Sequence, residues 1–157
     1  MSPLDLRALL AALHEGEVRF VLIGGVAVGA HGYVRATEDL DIVPDPSPEN
    51  VRRLGNALVN LDATLPMAEG RAFVPRDDNT RLARGESIAL ETGKGALDII
   101  QPTPGVPGFA ELDGAAVEAD MLGVPVRVCS LEHLRMMKQA RCDSQDRADL
   151  ERLPRPD

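Results

Sequence analysis

The stretch Thr37-Glu38-Asp39-Leu40-Asp41-Ile42-Val43-Pro44-Asp45 sets two carboxylates one residue apart inside an apolar run. Leu40, Ile42 and Val43 want burial, and strand alternation then points Asp39 and Asp41 to one side of a sheet. Like charges held that close repel and raise each other's pKa. A fold accepts this when a cation sits between them, or when the polar face lies in water. Hard oxygen ligands at this spacing suit Mg²⁺ and leave positions for phosphate and water. A third acid, Asp98, stands alone in Ala96-Leu97-Asp98-Ile99-Ile100. Burying it unpaired is expensive, so a metal, a base or an arginine is expected beside it.

Gly24-Gly25 follows the apolar run Arg19-Phe20-Val21-Leu22-Ile23. Two glycines let the backbone pass close to a ligand, and a helix start after them offers N–H groups to an anion. A tight turn is the plainer account of such a pair. If the two acid-bearing strands are neighbours, three carboxylates converge at the end of a short helix. Two divalent ions, roughly 3.5–4 Å apart, would bridge the acids and clamp a triphosphate. Asp98 would take the proton of an attacking hydroxyl whose pKa the metal lowers. That is in-line phosphoryl-type transfer, in which positioning and charge neutralisation do most of the catalysis.

The elements that must position these groups are legible in outline. Leu4, Leu6, Leu9, Leu10 and Leu13 carry helical spacing that ends near Gly16. A strand follows to Ile23, then a short helix from Val26 to His31, then the strand with the paired acids. Ser47 caps a helix from Pro48 to Leu61, with Pro48 at its first position. Arg71-Ala72-Phe73-Val74 reads as a short strand and Asp77-Asp78-Asn79 as a loop. Glu86–Glu91 and Ala96–Ile100 read as strands joined by hairpin chemistry at Thr92-Gly93-Lys94-Gly95. Pro102 to Pro107 is a loop, and Phe109–Leu112 one helical turn. Val117–Met121 and Val124–Val128 form a hairpin around Gly123. Ser130 caps a helix containing Leu131, Leu134 and Met137, and a last helix spans Ser144 to Leu153. Strands mixed with hairpins and unevenly spaced helices give an α+β fold with a mixed β-sheet and flanking helices. One domain over residues 1–157 is expected, with a core at about 18–101 and C-terminal strands and helices at about 117–153.

The run Gly24-Gly25-Val26-Ala27, His31-Gly32, Arg35, Thr37 and Asp39-Leu40-Asp41 resembles the signature of the nucleotidyltransferase superfamily of DNA polymerase beta. More narrowly, it is similar to the abortive-infection (AbiE-type) toxin nucleotidyltransferases and their small stand-alone relatives. Val126-Arg127-Val128, Ser130-Leu131-Glu132, Met137-Lys138, Ala140-Arg141, Asp146 and Asp149-Leu150 agree with that group. The resemblance runs from Phe20 to Leu153 and is loose from Asn60 to Arg84. It implies Asp39 and Asp41 as ligands of Mg²⁺ or Mn²⁺, with Asp98 as third carboxylate and base. It implies Gly24 and Gly25 facing the phosphates of an NTP, with Arg35 and Thr37 beside them and Lys138 reaching in from a C-terminal helix. Many superfamily members carry Gly-Ser where this chain has Gly24-Gly25. The implied activity moves NMP from an NTP to a hydroxyl acceptor: a tRNA end, a protein or a small molecule. The narrower group adds a toxin role with a cognate antitoxin or partner protein.

Each singled-out residue also has a structural reading. Arg35 either neutralises triphosphate or pairs with Asp39. His31 either reaches the nucleotide or the Asp39 loop, or simply ends a helix. Thr37 hydrogen-bonds within its turn. Lys138 and Arg141, three apart, share a helix face that is solvated by default. Asp146 and Asp149 are expected to hold Arg141 or Arg147 toward the site. Lys94 lacks the GxxxxGK[ST] context of a phosphate loop and is a hairpin tip. Two other functions stay open: a catalytically silent nucleotide-binding module of the same fold, and a metal-dependent nuclease on the same acids.

The 157 residues are 44% hydrophobic, which supports a globular fold. A net charge of -8 argues against a general electrostatic grip on nucleic acid. Local basic clusters remain, at Arg71, Arg76, Arg81 and Arg84 and at Arg135, Lys138, Arg141 and Arg147. Cys129 and Cys142 have no metal-binding spacing and are expected to be reduced, partly buried thiols. No apolar run matches a membrane span, so a soluble, cytoplasmic protein is expected.

Overall fold

The computed structural model describes residues 2–155; residues 1, 156 and 157 of the expected domain lie outside it. Helix α1, Leu6–Glu15, starts where the Asp5 carboxylate accepts the Ala8 N–H at 3.1 Å. It buries Leu9, Leu10 and Leu13 completely, each contributing about 2 kcal/mol of hydrophobic stabilisation. Strand β1, Phe20–Ile23, leads directly into helix α2, Gly24–Ala30, so that helix begins two residues before the position read from sequence. Strand β2 is Asp39–Pro44, and helix α3, Pro48–Asn60, is capped by Ser47 as expected.

The weak middle departs from the sequence reading. Strand β3 is Thr64–Leu65 and strand β4 only Arg71–Ala72, so Phe73 and Val74 are not strand. Asp77-Asp78-Asn79 is not a loop but part of helix α4, Pro75–Ala83. Three polar residues suggested a loop. They are instead a first helical turn, with Pro75 at its start and Asp77 and Asp78 favoured near the positive end of the helix. The Asp78 carboxylate also accepts N–H bonds from Val74 and from the Arg71 guanidinium.

Strands β5, Ile88–Thr92, and β6, Gly95–Ile99, form the expected hairpin. Helix α5 is longer than one turn, at Phe109–Ala115. Strands β7, Val117–Met121, and β8, Val124–Val128, pair around Gly123. Helices α6, Leu131–Arg141, and α7, Ser144–Arg152, end the chain.

The strands make one mixed sheet in the order β4-β3-β5-β6-β2-β1-β8-β7. Parallel pairing joins β2 to β6 and β1 to β8; the other pairs are antiparallel. Helix α2 packs on β1 and β2, α1 on β8 and α3, and α6 on α7 and α2. Leu40, Ile42, Leu97 and Ile99 are fully buried in the core, while the alternate positions Asp39, Asp41, Ala96 and Asp98 remain half-buried. No helix among the described residues is long and apolar enough to cross a membrane. Cys129 is buried, and burial pushes its thiol up to about 12; Cys142 is exposed.

Candidate active site

Register brings the acids together. Because β2 and β6 run parallel with Asp41 opposite Asp98 and Asp39 opposite Ala96, the three carboxylates emerge on one face. Ligand oxygens of Asp39, Asp41 and Asp98 lie within 4.8 Å of one another. Burial, followed by the hydrogen bond that protonated Asp98 donates to the Asp39 carboxylate and by the charge of Asp41, pushes Asp98 up to about 7. Burial and then the charge of Asp39 push Asp41 up to about 6, against the pull of Arg141 and Lys138.

Gly24 closes this site from below. Its φ of 74° is left-handed, and any Cβ there would run into the Asp41 carboxylate, with Cγ at 2.9 Å. A Cβ on Gly25 would meet Thr37 Cγ2 at 2.6 Å and both terminal nitrogens of Arg35 at 3.1 Å. Thr37 therefore packs its methyl against Gly25.

The cations that line the cleft make their ion pairs with other acids. Arg35 does not pair with Asp39. Its Nε and Nη2 donate to the fully buried Asp149 at 2.8 and 2.9 Å, across 114 residues of sequence. Lys138 does not lie on a solvated face. It is 5% exposed, with Nζ 3.2 Å from Asp146 Oδ1 and 3.0 Å from Asp149 Oδ2. Arg141 donates to Asp146 at 2.7 and 2.8 Å, one of the two partners read from sequence. His31 reaches neither nucleotide site nor Asp39 loop: its Nε2 is 2.7 Å from the Cys129 carbonyl oxygen, which ties the end of α2 to β8.

Among the described residues, no lysine or arginine ion pair reaches Asp39, Asp41 or Asp98. Three crowded, hard oxygen donors without a direct ion-pair partner among the described residues fit a divalent cation such as Mg²⁺ or Mn²⁺.

The triad opens into a cleft of about 760 Å³, a size suited to a small-molecule or cofactor site. Its lining includes Gly24, Gly25, Arg35 and Thr37 and also the apolar Ile100, Val106, Leu134 and Met137. The apolar lining was not read as part of a site. Its only sequence signal was the helical spacing of Leu134 and Met137, which equally describes core packing. Asp149 as the partner of Arg35 was missed as well, since nothing local links them.

Several solved structures resemble this fold over most of the chain. The Thermotoga maritima protein TM1012, assigned as a nucleotidyltransferase, matches 94% of this chain and 88% of its own at 15% identity and TM-score 0.58. The fold is that of nucleotidyltransferases. A nucleotidyltransferase-like antigen of Paracoccidioides brasiliensis covers 96% of this chain and 77% of its own, at 16% identity and TM-score 0.60. The antibiotic-resistance factor ANT(2'')-Ia, in complex with adenylyl-2''-tobramycin, covers 83% of this chain and 70% of its own, at 22% identity and TM-score 0.51. No protein-family model matches the sequence, and no curated protein does. Within this nucleotidyltransferase fold, the acid triad occupies the cleft formed by the end of β1, the start of α2, β2, β6 and α6.

Proposed function

We propose that this chain transfers a nucleoside monophosphate from an NTP to a hydroxyl acceptor. The observation that carries the reading is the meeting of Asp39, Asp41 and Asp98 on one face of two parallel strands, where none of them, among the described residues, makes a direct ion pair with a lysine or arginine. Asp39 and Asp41 would hold Mg²⁺ or Mn²⁺, with Asp98 as third ligand. Such an ion, when bound, neutralises the acids and the triphosphate and lowers the pKa of the acceptor hydroxyl.

The remaining chemistry falls to the chain's own groups. Gly24 and Gly25, without side chains, leave the triphosphate room beside Asp41. Arg35 and Thr37 line the same cleft, as does Lys138. The Asp98 carboxylate accepts the acceptor's proton as the new O–P bond forms at the α-phosphorus. The bond to pyrophosphate breaks in line with it. The acceptor is a tRNA end, a protein hydroxyl or a small molecule. A toxin role with a cognate antitoxin, in a cytoplasmic setting, extends the same proposal.

The test incubates the protein with cell extract, Mg²⁺ or Mn²⁺ and each NTP labelled at the α-phosphate. Label should move to one fraction, and Asp41→Asn should reduce transfer by about 10³-fold or more, as expected when a metal-binding group essential to charge neutralisation is lost. Equal labelling by wild type and variant, or none from any NTP, refutes the reading.

A further inference from the structure

The parallel pairing of β2 and β6 gives the acid triad two ends. Thr37 stands at one end, because the chain enters β2 just after it, and Gly25 packs against Thr37. Ile100 and residues 102–107 stand at the other, because the chain leaves β6 just after Asp98. Both ends contribute to the one cleft. The segment that leaves β6 is anchored. Gln101 is buried; its backbone N–H donates to Ser87 Oγ at 2.9 Å and its Nε2 to the Leu82 carbonyl at 3.2 Å. Thr103 and Val106 donate to each other's carbonyls at 3.4 and 2.9 Å and close a turn. Pro102, Pro104 and Pro107 stiffen it, each with φ fixed by its ring. The turn rests on α6, since a Cβ on Gly105 would stand 2.9 Å from the Cβ of Ala140. Residues 103–106 are therefore a preformed strap, and they line the cleft together with Met137 and Ala140. No charged residue occurs from Ile99 to Ala110.

We infer that the acceptor is an uncharged hydroxyl compound with an apolar body, seated between the 103–106 strap and Met137 and Ala140 of α6. The inference rests on the nucleotide reading above and names the substrate class of that same cleft. In an in-line displacement the attacking and leaving oxygens lie on opposite sides of the phosphorus. With the triphosphate beside Gly24 and Gly25, pyrophosphate leaves at the Thr37 end. The hydroxyl then attacks from the Ile100 end, past Asp98, which takes its proton as the O–P bond forms. Ile100, Val106, Met137 and Ala140 supply apolar surface there, and an apolar ring or chain gains from leaving water against them. The strap gives a cationic sugar no acid and a polynucleotide no basic group. Lys138 and Arg141, on the same helix, are already paired with Asp146. Glu38, which also lines the cleft, belongs to the Thr37 end.

The test offers the protein 2-phenylethanol, glucosamine or bulk tRNA, with Mg²⁺ and each NTP labelled at the α-phosphate. Label should pass to 2-phenylethanol and to neither of the others. Val106→Asp puts a charge on the strap, and Ala140→Leu fills the gap between strap and helix. Each should raise the KM for 2-phenylethanol by about tenfold or more, the scale of one lost apolar contact surface. Calorimetry should show NTP affinity within about twofold of wild type in both, because the phosphates bind at the other end. Thermal midpoints identify a variant that fails to fold; Ala140→Leu, at an exposed helical position, then carries the test. Label on glucosamine or tRNA in place of 2-phenylethanol overturns the inference, as does an unchanged KM in Ala140→Leu. Weaker binding of NTP but not of inorganic tripolyphosphate in Ala140→Leu overturns it too, by putting the base where the acceptor is placed. Wild-type protein that binds NTPs and labels cell extract, yet labels none of the three probes, overturns this inference alone. Protein that binds no NTP and labels nothing overturns the nucleotide reading with it.

Discussion

At the residue scale, the crowding of the acid triad costs stability that a cation bound at the proposed site would restore. Burial beside like charges raises Asp98 to about 7 and Asp41 to about 6, which disfavours their ionised forms. Replacing Asp98 with asparagine removes one charge from the crowd and keeps the shape. Asp98→Asn should therefore stabilise the metal-free protein by about 1 kcal/mol, within the range of substitutions that relieve functional strain. The same variant should lose transfer activity. Adding Mg²⁺ should raise the wild-type melting midpoint through ligand linkage and leave that of Asp98→Asn nearly unchanged. Thermal melts with EDTA and with excess Mg²⁺ check both halves, and a variant less stable than wild type in EDTA contradicts the repulsion argument. These three acids were legible in the sequence because period-two alternation and one isolated carboxylate are local signals. The partner of Arg35 was not, because the ion pair spans 114 residues and depends on how α7 docks.

At the element scale, α7 is a polar helix whose two buried residues are aspartates, Asp146 and Asp149. Burial pushes both upward, but hydrogen bonds outweigh it. Arg141, the Asp143 backbone and Lys138 hold Asp146 well below the usual carboxylate range; Arg35 and Lys138 lower Asp149. Such groups carry stability that is complete above the unfolded carboxylate pKa, about 4, and that fades as pH falls toward the folded values. The unfolded chain binds protons first, so melting midpoints should drop steeply below about pH 4. In Asp146→Asn the overall midpoint should be lower, since Lys138 and Arg141 lose a partner, but its decline below that pH should be shallower. Midpoints measured from neutral to acid pH test the slope, and parallel curves for the two proteins would remove Asp146 from the account. The capping box joining Asp143 and Asp146 places α7 in sequence terms, as Ser130 and Ser47 place α6 and α3. Helix α4 had no side-chain cap and a first turn of polar residues, so loop chemistry and helix chemistry looked alike. Strand β3, at two residues, is too short to carry a periodic pattern at all.

At the scale of the whole molecule, the site exists because the sheet threads the C-terminal half back to the N-terminal one. Strand β8 pairs parallel with β1, and α6 then crosses the mouth opened by Gly24. The chain's charge of -8 and pI near 4.9 make this a repulsive partner for a triphosphate at long range. Several of the clustered arginines are paired with acids. Arg71 is committed to Asp78, Arg81 and Arg84 to Glu86, and Arg141 to Asp146. On the proposed function, attraction would come at short range, from a bound divalent ion and from Arg35 in the cleft. Salt screens the distant repulsion over a Debye length of about 8–10 Å at physiological strength and leaves contact pairs largely intact. NTP affinity at saturating Mg²⁺ should thus stay level or rise slightly as monovalent salt goes from about 20 to about 150 mM. A protein that held its nucleic-acid acceptor by phosphate contacts would instead lose affinity for it by orders of magnitude over that range. Parallel salt titrations with an NTP and with bulk tRNA separate the two. A flat NTP curve with salt-insensitive or absent tRNA binding fits a protein or small-molecule acceptor. A steep tRNA curve would favour a nucleic-acid acceptor held by basic groups outside the cleft, such as Arg135, whose guanidinium donates to the Leu150 and Pro154 carbonyls and not to an acid.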